Sequence, residues 1–291
     1  MDTRLFPVRF AGIVLSLVFL TGAQYETTNF TVDNAPTLEL AKEFGETAER
    51  CRNELAVRWL GKTLPDWAEK CPIRVAVGEN LGAGGATTFI FDNGEVYGWE
   101  MNIQGSAQRI LDSVIPHEIT HTVFATYFRQ PVPRWLDEGA ATTVECSAEK
   151  ESYRRMLRHF LRDDVKKCLP FNRMVAATDY PSDPMPFYAQ GFSVTEFLIH
   201  LGKQRAGDIG GLHGERLLVR FAETGMRTGD WNAALRQHYD IDNLGELQQN
   251  HWLAWLKEPA TVLLVAPPMQ SVYNRVNVSF PITMDDIPPL P

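Results

Sequence analysis

No apolar run in this chain is long enough to cross a bilayer. The nearest approach, Phe10 to Leu20, falls short of the roughly 20 residues that a spanning helix requires. Positive charge is also scarce: Lys and Arg number 28 against 36 Asp and Glu, for a net charge of −8. With no clustered Lys/Arg stripe, nucleic acid and anionic membrane surfaces are poor partners. Cysteine is sparse, with four in all, and none has the spacing of a zinc-binding cluster. No cysteine follows the apolar segment, so lipoprotein processing is not expected. The absence of internal repeats and low-complexity tracts sets aside repeat architectures. What remains is an ordinary globular composition, 44% hydrophobic and 22% charged over 291 residues, enough for one large domain or two lobes.

Residues 1–23 read as a secretory signal. Arg4 and Arg9 form its basic start, Phe10 to Leu20 its apolar core, and Thr21-Gly22-Ala23 a small-residue cleavage site before Gln24. The expected location is secreted or periplasmic; an uncleaved signal anchor is the alternative, and with cleavage no stable membrane insertion remains. In an oxidising compartment the four cysteines would form two bridges, with three pairings open. The local pairing, Cys51–Cys71 with Cys146–Cys168, closes two loops of about twenty residues, each contributing on the order of 3 kcal/mol. Free thiols are the other outcome. Asn29-Phe30-Thr31 and Asn277-Val278-Ser279 match the glycosylation triplet, which matters only in a eukaryotic source.

The chemistry concentrates at Pro116-His117-Glu118-Ile119-Thr120-His121. On a helix, residues four apart share a face, so His117 and His121 can offer two imidazole nitrogens to one ion. Glu118, one position round, can act on a water at the metal without being a ligand. Ser113 is placed to cap this helix, with Pro116 in its first turn. A catalytic zinc takes three protein ligands. Glu138, within Trp135-Leu136-Asp137-Glu138-Gly139, supplies the third if the chain turns back. Pro131-Val132-Pro133 forces a turn, and a second helix is expected from near Arg134.

These fragments resemble the gluzincin metallopeptidases, and among them the aminopeptidase N family, which joins H-E-x-x-H to a downstream W-L-x-E-G. The resemblance implies a thermolysin-like α+β catalytic domain. It has a small mixed-sheet lobe, a mainly helical lobe and the zinc helix between them. The family carries a further Glu seven residues past the ligand, matched here by Glu145. At about two helical turns it can orient a histidine, although a solvated helix carboxylate fits the spacing equally. Phe187-Tyr188-Ala189-Gln190-Gly191-Phe192 is similar to the family's Y-x-K-G-F, whose tyrosine stabilises an oxyanion, with Gln190 in place of lysine. Helix packing is the alternative role for Tyr188. The family's G-x-M-E-N grips a substrate amine; here the order is Gly98-Trp99-Glu100-Met101-Asn102. A one-residue slip in a strand turns a side chain to the other face, so Glu100 is expected on the rim of the cleft rather than as the amine anchor.

The expected organisation is an α+β lobe over 24–130 ending in the zinc helix, a helical lobe over 131–257 and a Pro-rich tail over 258–291. Residues 24–35 read as polar and extended, and Thr37 to Leu60 as an amphipathic helix. Strands are expected at Ile73–Val77, Thr87–Phe91 and Glu95–Ile103, with a Gly-rich loop through Gly82, Gly84 and Gly85. In the related family the last strand before the helix pairs with substrate backbone. Residues 169–186 read as a long surface loop of the kind that rims active sites. Helices follow at about 187–203, 212–224, 230–239 and 243–257. The function expected is a Zn²⁺ peptidase acting on peptide or protein, with Glu118 as general base. A zinc hydrolase of non-protein amides or esters, or a non-catalytic binding protein on the same fold, are the alternatives.

Overall fold

The computed structural model describes residues 22–207 and 211–257. Most of the expected signal segment, the Asn277 triplet and the 258–291 tail lie outside the described residues. The chain opens with β1 (Ala23–Glu26) and β2 (Phe30–Ala35), an antiparallel pair. Phe30, Val32 and Ala35 are buried, so the segment expected to be merely extended is a strand pair whose second strand enters the core. Asn29 is buried as well. Its side chain donates to Glu49 and Asp66 and accepts from the Trp67 amide, which removes it as a glycan acceptor in the folded protein.

Helix α1 (Leu38–Leu60) begins at Thr37, whose hydroxyl accepts from Leu40 N, and ends at Gly61 in the left-handed region. Its Ala41, Phe44, Ala48, Leu55 and Trp59 recur at helical spacing and are buried. This helix carries the chain from β2 to β3 (Cys71–Val77), which lies parallel to β2. β4 (Gly84–Asp92) and β5 (Glu95–Gly105) form a hairpin. Asn93 and Gly94 both have positive φ, the two-residue turn whose twist suits a hairpin.

The sheet order is β1-β2-β3-β5-β4, with β3 and β5 parallel and β4 antiparallel to β5. β5 is therefore interior, with both edges paired. The edge strands are β1 and β4, so the free edge beside the Ile115–Phe128 helix belongs to β4 and not to β5, the last strand before the helices. Sequence distinguishes strands but does not order them in the sheet. Gly84 and Gly85, expected in a loop, belong to β4.

The helical run starts at α2 (Ala107–Arg109), passes through a wide π turn (Ile110–Val114) and continues as α3 (Ile115–Phe128). Ser106 caps it; Ser113 lies inside the π turn, and its hydroxyl accepts from Cys146 N at 3.2 Å. α3 ends at Arg129 with φ 53°, and α4 (Arg134–Thr143) follows the proline turn. α5 (Ser147–Asp163), α6 (Phe171–Ala176), α7 (Met185–Ala206), α8 (His213–Thr228) and α9 (Trp231–Tyr239) continue the chain. The short α10 (Leu244–Glu246) and α11 (Leu253–Trp255), joined by a second π turn, complete it. α6 replaces part of the loop expected over 169–186, because Phe171 and Met174 are apolar enough to bury, Phe171 against Trp252. Sheet and helices share one core, and the described elements belong to one compact unit ending at Leu256.

All four cysteines are free thiols, so neither expected loop is closed by a bridge. Burial pushes Cys51 and Cys71 up to about 12. Both behave as small core residues rather than reactive groups.

α4 and α7 cross at two glycines. A Cβ on Gly139 would lie 2.3 Å from Thr195 Oγ1 and 2.6 Å from Gly191 O; one on Gly191 would lie 2.8 Å from Trp135 O. Only a bare backbone fits. Gly139→Ala is expected to cost about 1–3 kcal/mol through overpacking, read as a lower urea midpoint at unchanged slope. A wild-type midpoint would mean that the crossing relaxes freely.

Candidate metal centre

α3 lies under the sheet with His117 and His121 on its face toward α4. Their rings are 5.0 Å apart. Glu138, one turn into α4, brings Oε2 to 3.5 Å from His117 Nε2 and 3.9 Å from His121 Nε2. The three residues present ligand atoms within 4.8 Å of one another, and the group could hold a metal ion. The other ring nitrogens face acids. His117 Nδ1 is 2.7 Å from Glu145 Oε1, and His121 Nδ1 is 3.0 Å from Asp137 Oδ1, at ion-pair range without hydrogen-bond alignment. A carboxylate behind each imidazole leaves Nε2 for a cation and makes it more basic.

Glu145 thus takes the histidine-orienting role rather than that of a solvated carboxylate. Asp137 stands in the corresponding place behind His121, at ion-pair range, and was not anticipated. It adjoins Glu138 in sequence, and nothing in the spacing singles it out before the rotation of α4 is known.

The centre is rich in negative charge. Burial pulls His117 down, but its hydrogen bonds to Glu138 and Glu145, with the Glu145 and Glu118 charges, hold it well above the ordinary range. Burial likewise lowers His121, and Asp137 and Glu138 lift it to about 9. Burial raises Glu138, while the His117 hydrogen bond and both imidazoles bring it down to about 2. A buried cluster in which carboxylates outnumber imidazoles is one that a divalent cation would satisfy. Two nitrogens and one carboxylate oxygen also fit the donor chemistry of zinc.

Glu118 stands beside these three residues, His117, His121 and Glu138, buried against β4. Thr87 Oγ1 donates to Glu118 Oε2 at 2.7 Å. A Cβ on Gly85 would lie 2.6 Å from Glu118 Oε1, so the glycine makes room for the carboxylate. A glycine inside a strand signals such a close approach, but Gly85 was expected in a loop before the strand, so the signal could not be read there.

Thr87 is paired with Met101 and shares its face, toward the helices. Glu100 pairs with Thr88 and points the other way, where it forms an exposed ion pair with Arg74 of β3. Glu100 is thus on the outer face of the sheet, neither amine anchor nor cleft rim. The alternation of buried Trp99, Met101 and Ile103 forces it there.

Tyr188 sits in the first turn of α7, one turn before the crossing glycine Gly191. Burial and the Glu138 charge push its hydroxyl up to about 12, so it remains a proton donor at neutral pH. Gln190 is fully buried and bonds both backbone groups of Leu169, at 2.8 and 2.7 Å. Its place is structural. Tyr180, between α6 and α7, was also not anticipated: its hydroxyl donates to Glu138 Oε1.

No family model matches the chain, and no curated protein matches it significantly.

Proposed function

We propose that this protein is an exported zinc-dependent peptidase of gluzincin type. The observation that carries the reading is the His117/His121/Glu138 group with Glu118 of α3 buried beside it, held by Thr87 of the edge strand β4. His117, His121 and Glu138 would hold Zn²⁺. When bound, the ion would supply Lewis acidity, lowering the pKa of water and polarising a carbonyl.

The remaining work belongs to the chain's own groups. Thr87 fixes one oxygen of Glu118, so the carboxylate keeps a defined direction in which to take a proton from the attacking water and pass it to the leaving amine. Tyr188 donates to the oxygen where negative charge develops. An extended substrate can add to the free edge of β4, which runs past Glu118 through Gly85 and Thr87. Backbone pairing of that kind suits a peptide.

The test is a mixed peptide library incubated with purified protein and read by mass spectrometry, with a chelator control. Chelator-sensitive cleavage is the expected result. Loss of single amino-terminal residues would make it an aminopeptidase with an amine anchor other than Glu100, and internal cuts an endopeptidase. Absence of cleavage with one zinc per chain would overturn peptidase in favour of another zinc hydrolase.

A further inference from the structure

The Glu138 carboxylate has two oxygens, and only one faces the histidines. Oε2 lies 3.5 and 3.9 Å from the two imidazole Nε2 atoms, while Oε1 receives the Tyr180 hydroxyl. A carboxylate free to rotate can offer either oxygen or both to an ion. A donor on one oxygen fixes its plane and leaves the other as the ligand.

Tyr180 is itself held from three sides. Its ring meets Phe187 edge-on at 6.3 Å, lies against Tyr188 at 5.5 Å and carries the Arg134 guanidinium 5.1 Å over its face. These contacts come from α4 and α7, the helices that carry Glu138 and Tyr188. The tyrosine reaches Glu138 from the connecting segment as a braced rod rather than a loose side chain.

We propose that Tyr180 is a positioning residue of the metal centre, its hydroxyl orienting Glu138 so that Oε2 alone faces the two histidines. This rests on the reading of the centre as a metal site.

Tyr180→Phe keeps the ring contacts and removes only the hydroxyl. The probe is Zn²⁺ itself, its dissociation constant measured on the full chain by competition with a chromophoric chelator, beside the melting temperature of the metal-free protein. Co²⁺ absorption of the loaded protein reports the coordination. The expected result is a weakening of zinc affinity by about 10- to 100-fold, an altered Co²⁺ spectrum and an unchanged metal-free melting temperature. Wild-type protein that binds one zinc, with a variant within twofold of it, would overturn this inference alone. A matching fall in metal-free melting temperature would assign the effect to folding of the segment and overturn it too. Wild-type protein that binds no zinc would overturn the metal reading and this inference together.

Discussion

Glu118→Gln is expected to remove turnover while leaving zinc in place. The amide is nearly isosteric, so it can still occupy the space over Gly85 and meet Thr87. It cannot accept the water proton. A positioned proton-transfer group supplies about 10²- to 10⁴-fold, and kcat should fall by that amount. KM should change little, because Glu118 is not a metal ligand and the β4 edge is untouched. Steady-state kinetics on a peptide substrate and metal analysis of the same sample check the two halves separately. A variant with wild-type kcat and bound zinc would remove Glu118 as the base.

Glu138→Ala should do the reverse, losing the ion first and activity as a consequence. It deletes the only carboxylate in the three-residue group and leaves the imidazoles facing a gap. Loss of a direct ligand should weaken zinc by more than the roughly 10- to 100-fold that a lost outer hydrogen-bond partner costs. Zinc stoichiometry after gel filtration in metal-free buffer is the measurement. The variant should come off the column empty, and a full equivalent retained would mean that the third ligand lies elsewhere. Together the two substitutions separate proton transfer from metal binding at neighbouring residues on different helices.

The parts of this site that sequence made legible are those set by spacing within one helix or by a forced break between two. His117 and His121 follow from the four-residue period, and Glu138 from the proline turn that ends α3. Glu145 follows from two further turns, although α4 gives way at Val144 before reaching it. What stayed hidden depends on how elements rotate and stack. Asp137 reaches His121 only because of the angle at which α4 is packed. Tyr180 comes from a segment without periodicity. The exchange of β5 and β4 at the sheet edge is invisible to propensity, since both strands alternate in the same way. Gly139 and Gly191 were visible as motif letters, but their role as a bare-backbone crossing appears only when both helices are placed.

That crossing has a consequence for motion. Gly139 and Gly191 bring the α4 and α7 backbones together, with the Thr195 hydroxyl packed beside them and little side-chain layer to shear. Glu138 and Tyr188 therefore travel together. α3 contains no glycine and meets α4 through side chains, ion pairs among them. The seam between the helix of Glu118 and the pair that carries Glu138 and Tyr188 is therefore the softer of the two. The left-handed Arg129 and the proline turn after it are the natural pivot. Opening there would carry Glu118 away from Tyr188 without disturbing the distance between Tyr188 and Glu138.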